Sequence, residues 1–367
     1  MMKYDYLIVG AGLAGCVFAR MAKDNGKKVV IIEKKEKIGG MCSTKKIKDI
    51  MVHEYGAHIF KTNNKDVWNF VNKYDEFEFF INTPKAIYNN KMYSLPINMN
   101  TFHELWGCIY PEQAKEIIEK QKTKVENVNN LEDYVLNIVG KDIYEKIIKE
   151  YTEKQWGKSC KELKPEVMKR IPIRFTYNNN YYNEKYQGIP KHGYSYMLKK
   201  MTEDIEIRYG VDYFKNKEKL KNIANKVVYS GAIDELGQYR YGELEYRGLN
   251  FKHKYYPNTN NLQGVAVWNH TDRNKPYTRT IEHNNFIRNK NAKGTIITVE
   301  TPMKYKKGDE RYYPINDEKN DKLYNKYKEL LKDEYILIGR LGCYKYTDMA
   351  ETIENTRKIF KEVEYGK

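Results

Sequence analysis

Three glycines spaced two and three residues apart, Gly10, Gly12 and Gly15, lie in Gly10-Ala11-Gly12-Leu13-Ala14-Gly15. An apolar run, Tyr6-Leu7-Ile8-Val9, precedes them, and Cys16-Val17-Phe18-Ala19 continues into a helix. The chemistry this spacing serves is anion binding. Gly10 makes a tight turn, Gly12 lets the backbone approach a pyrophosphate, and Gly15 lets the helix pack closely on the sheet. The helix N-terminus then presents free N–H groups and partial positive charge, so no lysine is needed. A second apolar run, Val29-Val30-Ile31-Ile32, ends at Glu33. That is near the ~20-residue offset at which a carboxylate accepts hydrogen bonds from an adenosine ribose. A glycine turn alone would fit any α/β sheet; strand, helix and acid together make the dinucleotide fingerprint.

Further along, Tyr151-Thr152-Glu153-Lys154-Gln155-Trp156-Gly157 puts two aromatics and a hydroxyl at a helix end, which suits stacking a nucleobase and holding its edge. Lys169-Arg170-Ile171-Pro172-Ile173-Arg174-Phe175 and Tyr177-Asn178-Asn179-Asn180-Tyr181-Tyr182 come next. Either segment alone is a solvated basic loop with aromatics that staple it; together they suit a loop crossing a ligand. Tyr277-Thr278-Arg279-Thr280 sets an arginine on a strand, where its grip on phosphate is fixed and bidentate. His53 and His58, in His53-Glu54-Tyr55-Gly56-Ala57-His58-Ile59-Phe60-Lys61, could be metal ligands. No Cys or Asp/Glu set accompanies them at ligand spacing, so no metal site is expected and they read as a polar cluster beside a cofactor.

These residues need elements to position them. Tyr4 to Glu33 reads as strand, glycine turn, helix and strand, and Lys226-Val227-Val228-Tyr229-Ser230-Gly231 as a strand returning to the same sheet. Asn82 to Asn98, broken by Pro84 and Pro96, marks an exit from the nucleotide-binding unit. Apolar stripes at helical spacing come after it: Ala114, Ile117 and Ile118 after Pro111; Leu131, Val135, Ile138 and Val139 stopped by Gly140; Ile143, Tyr144, Ile147, Ile148 and Tyr151. They predict an inserted helical bundle. From Tyr241 to Glu300 the texture predicts an antiparallel sheet. Tyr335-Ile336-Leu337-Ile338, Gly339-Arg340-Leu341-Gly342 and Asp348-Met349-Ala350-Glu351 read as strand, turn and helix start.

The expected fold class is α/β: a Rossmann-like unit with a helical bundle inserted and an antiparallel β-sheet unit. The expected boundaries are 1–80 with 191–238 and 325–367 for the nucleotide-binding unit, 99–170 for the bundle, and 171–190 with 239–324 for the sheet. The chain has 367 residues, 65 Lys+Arg against 49 Asp+Glu, and a formal charge of +16. A basic balance can mean nucleic acid or an anionic substrate. No basic tail, zinc-finger spacing or RNP-like aromatic motif is present, so no nucleic-acid partner is expected. Five scattered cysteines, never in CxxC, favour reduced thiols and a cytoplasmic protein. The apolar N-terminus is the fingerprint strand rather than a signal peptide, and no apolar run is long enough to span a membrane.

Lys37-Ile38-Gly39-Gly40 resembles the second glycine pair of FAD enzymes related to amine oxidases. In such chains a closing strand, turn and helix like that of Gly339, Arg340, Asp348 and Met349 puts the arginine near the pyrophosphate and the helix N-terminus near the flavin. Along essentially its whole length the chain resembles bacterial UDP-galactopyranose mutases. The glycine fingerprint, Tyr55-Gly56-Ala57-His58-Ile59-Phe60, the Tyr151–Gly157 segment, Lys169-Arg170-Ile171-Pro172, Pro276-Tyr277-Thr278-Arg279, Tyr312-Tyr313-Pro314 and Gly339-Arg340-Leu341-Gly342 carry that resemblance.

The resemblance implies a non-redox isomerase that binds a UDP-hexopyranose and converts it to the furanose, with reduced FAD as nucleophile through a covalent flavin N5–sugar adduct. It also implies a homodimer. Arg170, on a mobile loop, and Arg279 would hold the diphosphate, and His58 would lie beside the flavin. Tyr151, Thr152, Trp156, Tyr181 and Tyr182 would line the uridine side, Tyr182 replacing the family's frequent phenylalanine. Tyr313, Tyr346 and Asp348 would reach toward diphosphate and sugar, with Arg247 a further phosphate-side contact. Lys61 departs from the family's usual histidine, so it either points to solvent or reshapes the sugar pocket. An amine-oxidase-like flavin oxidoreductase would share the glycine fingerprint without needing the arginine pair.

Overall fold

In the computed structural model, residues 3–168, 173–289 and 291–366 are described. The apolar runs at the N-terminus form strands Tyr4–Val9 and Val29–Ile32, joined by helix Leu13–Asp24. They centre a five-stranded parallel sheet in the order Glu206–Arg208, Val29–Ile32, Tyr4–Val9, Ala224–Tyr229, Tyr335–Leu337. A parallel sheet is buried on both faces, and strand alternation feeds both. Tyr6 and Ile8 pack with Phe18, Leu198 and Phe360 from the helices on one side, while Leu7 packs with Val30, Ile233 and Tyr327 on the other. The expected return strand at 226–229 is there, in parallel register with the first.

The inserted bundle has helices Met99–Trp106, Pro111–Gln121 and Leu131–Val139, the second with proline in its first turn and the third ending on Gly140. Its apolar stripes meet in one core containing Ala114, Ile118, Leu131, Val135, Ile143 and Ile147. The last stripe runs through a π-helical stretch, Tyr144–Lys149, directly into helix Glu150–Trp156. A π turn takes an extra residue and so rotates the helix beyond it. Tyr151, expected as the next member of that stripe, accordingly lies outside the bundle core.

The second large sheet has seven strands, in the order Tyr313–Pro314, Tyr246–Pro257, Gly294–Lys304, Arg279–Glu282, Val267–His270, Lys85–Tyr88, Lys91–Ser94. It differs from the expected antiparallel sheet in one pairing, Val267–His270 with Lys85–Tyr88, which is parallel. The segment read as an exit from the nucleotide-binding unit thus supplies two of its strands.

Tyr186–Pro190, expected with that sheet, instead pairs with Phe60–Thr62 and Phe77–Phe79 in a separate three-stranded sheet. Gly188 permits the tight fit, since a Cβ there would lie 2.7 Å from the Glu78 carbonyl oxygen. Gly339–Gly342, expected as a turn, is one turn of helix. Asp348 caps helix Met349–Tyr365, exchanging hydrogen bonds with Glu351 in a capping box. Among the described residues no helix is long and apolar enough to cross a membrane.

Candidate active site

At the C-terminal ends of the parallel strands a cavity of about 870 Å³ is lined by Gly10, Gly12, Glu33, Gly39, Gly40, His58, Gly339, Arg340 and Met349, among others. This is where open α/β sheets bind ligands. Helix Leu13–Asp24 starts there with no side-chain cap and no acid in its first turn, so its N–H groups remain available to an anion. Gly12 forms an isolated bridge with Gly39, and a Cβ on Gly12 would find only the Gly40 Cα, 3.8 Å away. The wall is bare backbone. Glu33 accepts the Ala11 N–H at 2.8 Å and the Lys35 N–H at 2.9 Å, which fixes its carboxylate at the cavity edge. Gly15 does not line the cavity. A Cβ there would sit 2.0 Å from the Gly10 carbonyl oxygen, so its part is to let helix and strand touch. An uncapped helix end, a backbone cradle and a fixed carboxylate are the donor and acceptor set of a dinucleotide site.

His58 links this cavity to a second group of residues. Its Nδ1 lies 2.9 Å from the Gly56 carbonyl oxygen, which assigns the proton to Nδ1 and leaves Nε2 as an acceptor. Burial pulls its pKa down to about 4; the Gly56 bond opposes the shift, while Arg340 and Arg279 add to it. The ring is neutral at pH 7. The His58 N–H donates to His53 Nδ1 at 3.1 Å, and the His53 N–H to His283 Nδ1 at 3.2 Å, so the two histidines flagged in the sequence are joined to each other and to a third.

Arg279 and Glu300 face each other across neighbouring strands. Glu300 Oε1 accepts from Arg279 Nε at 2.9 Å and lies 2.7 Å from Nη2. The carboxylate is fully buried, and its Oε2 has no partner. Burial works against the guanidinium charge, but Glu300 outweighs it and Arg279 stays protonated. Glu300 therefore holds one edge of the guanidinium, Nε and Nη2. Tyr151, Tyr181, Tyr182 and Tyr313 all lie close enough to feel its charge, and burial raises the pKa of each. Tyr313 contacts Trp156 at 6.1 Å and Tyr346 at 5.2 Å between ring centroids, and Arg340 stacks over Tyr346 at 4.6 Å. Tyr181 and Tyr182 meet edge to face at 5.2 Å. Thr152 is buried on the same helix as Tyr151 and Trp156.

Three further sequence candidates are Arg170, Arg247 and Lys61. Arg170 lies outside the described residues. Arg247 donates from Nε to the Gln155 carbonyl at 3.0 Å and from Nη2 to the Lys154 carbonyl at 3.2 Å. It caps the C-terminal end of helix Glu150–Trp156, whose last carbonyls have no partner within the helix, and two of its donors are spent there. Lys61 does not point to solvent. Its ammonium bridges Glu184 and Asp348 Oδ2, the latter at 3.1 Å, and lies 5.2 Å from the Tyr182 ring centre. Asp348 thus serves both as helix cap and as a partner of Lys61. Sequence reasoning missed Glu300 and Glu184. An acid continuing the apolar run Thr295-Ile296-Ile297-Thr298-Val299 was the available signal for the first, since a charge at a strand position needs a partner.

The fold and this cavity define a dinucleotide-binding, Rossmann-like protein in which a cluster of tyrosines around Arg279 lies near His58 on the cavity wall. The family model for the NAD(P)-binding Rossmann-like domain matches residues 8–74, and that for UDP-galactopyranose mutase matches residues 146–346. A probable UDP-galactopyranose mutase of Klebsiella pneumoniae is 37% identical over 99% of this chain and 95% of its own. A dTDP-fucopyranose mutase of Escherichia coli is 35% identical over 94% of both. The crystal structure of a reduced UDP-galactopyranose mutase superposes with a TM-score of 0.77 at 13% identity, covering 99% of this chain and 94% of that one, a likeness of fold. The chain belongs to the UDP-galactopyranose mutase family, and it is an isomerase.

Proposed function

We propose that this chain converts a UDP-hexopyranose, UDP-galactopyranose or a close analogue, to the UDP-hexofuranose, with FAD in the glycine-lined cavity and active when reduced. The observation that carries the reading is Arg279, held at one edge by buried Glu300, surrounded by tyrosines and close enough for its charge to act on His58, which with Arg340 lines the dinucleotide cavity. A cation so placed binds a diphosphate and offsets the charge that grows as the sugar–phosphate bond breaks. Tyr151, Tyr181, Tyr182 and Trp156 give flat faces for a base, and Tyr313 and Tyr346 give hydroxyls for the phosphates. Gly12, Gly40 and the start of helix Leu13–Asp24 would hold the flavin's pyrophosphate and Glu33 its ribose, with Gly339, Arg340 and Met349 closing the site.

The flavin, when reduced and bound, supplies the nucleophilic nitrogen for the anomeric carbon. The chain supplies orientation, charge and exclusion of water. Neutral His58 offers Nε2 as an acceptor between the glycine-lined cavity and the tyrosine cluster around Arg279. Relatives named for two different donors match this chain about equally well, so the donor is tested with both. The protein is purified, its bound cofactor identified by absorption and mass, and the dithionite-reduced form incubated with UDP-galactopyranose and with dTDP-fucopyranose. A furanose product from the first is expected. Formation of an oxidised sugar, or no bound flavin, would overturn the reading. A cytoplasmic homodimer belongs to the same proposal, and a sedimentation mass of one chain would contradict the dimer.

A further inference from the structure

Helix Glu150–Trp156 carries Tyr151, Thr152 and Trp156, and Arg279 comes from a different element, the hairpin of strands Val267–His270 and Arg279–Glu282. What joins them is Lys154. Its ammonium reaches into the hairpin's connecting loop and donates to four backbone carbonyls: Asp272 at 2.7 Å, His270 at 2.8 Å, Tyr277 at 3.0 Å and Lys275 at 3.1 Å. An ammonium has three N–H donors, so four acceptors saturate it with one bond shared. Carbonyls converging at such distances replace a cation's hydration shell. Four carbonyl dipoles directed at one point would repel one another without a charge there. Burial lowers the Lys154 pKa to about 8, with Asp272 and Glu150 opposing the shift. The loop returns the contact elsewhere: the Arg273 N–H donates to Glu150 at 2.7 Å, and Thr278 Oγ1 to Gln155 Oε1 at 3.2 Å.

We propose that Lys154 is a positioning residue, a built-in cation filling a four-carbonyl cage that fixes Arg279 against the aromatic face of the nucleotide pocket. This rests on the nucleotide-sugar reading above. An open pocket of about 620 Å³ lies alongside, lined by Lys154, Gly157, Arg273 and Pro276 among others, so small solutes reach the cage from solvent. The ammonium is therefore replaceable from outside if its side chain is removed.

The test uses the flavin-loaded protein with Lys154→Ala, which empties the cage, and Lys154→Met, which keeps the stem but removes the charge. In Lys154→Ala, UDP affinity and kcat/KM are expected to fall on the order of tenfold to a hundredfold, as displaced positioning groups do. Both quantities are read well below the variant's own melting transition, and flavin content should stay near the parent's. Added ammonium or methylammonium should restore both quantities to a saturating level, while tetramethylammonium, with no N–H to donate, should not. Lys154→Met should show the loss without rescue, because its stem blocks the cage. Unchanged UDP affinity in both variants overturns the inference, as does a loss in well-folded Lys154→Ala that no small cation relieves. If Lys154→Ala does not fold, Lys154→Met decides by its UDP affinity alone. A parent protein that binds no UDP would instead remove the nucleotide-sugar reading itself.

Discussion

Arg279 and Glu300 form a unit, and any substitution at one acts on both. If Arg279 offsets developing charge as proposed, removing the guanidinium deletes a donor whose loss typically costs ~3 kcal/mol in the transition state, or roughly a hundredfold in rate. It also leaves a fully buried carboxylate unpaired, and breaking a buried pair that way costs about 3–5 kcal/mol of stability. Arg279→Ala should therefore lower both kcat/KM and melting temperature, and activity must be read well below the variant's own transition. Full kcat in a folded variant would make Arg279 a structural arginine only.

The neutral histidines give a prediction about pH. His58 and His270 are held at about 4 and His283 at about 3, chiefly by burial, against an ordinary value of 6.5. The unfolded chain binds protons first, so stability is lost as pH falls through the unfolded value toward the folded ones. Melting temperature should drop between about pH 7 and pH 5, before most carboxylates titrate. A flat profile there would contradict buried neutral imidazoles. At this scale the sequence exposed the residues that end in recognisable groups, Arg279 on its strand and the Tyr151 to Trp156 cluster. It hid Glu300 and Glu184, whose importance lies in a partner distant along the chain, and it gave no sign that Arg247 also caps a helix end.

At the scale of elements, the junction of the first strand and helix tolerates no side chain at Gly15, where a Cβ would lie 2.0 Å from a backbone oxygen that cannot move aside. Gly15→Ala should separate helix Leu13–Asp24 from its strand, and the protein should purify with its flavin largely missing by absorption; normal flavin content would show that the helix has room. Lys61 ties strand Phe60–Thr62 to the segment after Tyr182 and to the cap of helix Met349–Tyr365. Lys61→His shortens that tie and removes a permanent charge, so the pocket wall at Tyr182 moves. The ratio of kcat/KM for UDP-galactopyranose to that for its N-acetylamino analogue should shift toward the former. An equal ratio in both proteins would remove Lys61 from donor choice. The glycine fingerprint, the bundle and the start of helix Met349–Tyr365 were legible because their signals are local. The parallel pairing of Val267–His270 and the separate sheet of Tyr186–Pro190 were not, because strand partners depend on assembly.

Across the whole molecule, the parallel sheet presents its glycine-lined cavity at one end, and the bundle and seven-stranded sheet bring aromatics and Arg279 to the same place. An oxidoreductase could use the first half of that arrangement. The proposed reaction on a nucleotide diphosphate-sugar would use both halves, and an isomerisation leaves substrate and product at the same oxidation level. The most direct measurement is therefore turnover under anaerobic conditions with the flavin fully reduced or fully oxidised, counting furanose formed against reductant consumed. The account predicts many product molecules per reduced flavin with no net reductant used, and no furanose from the oxidised protein. Equal rates from both forms, or one reductant consumed per product, would contradict it.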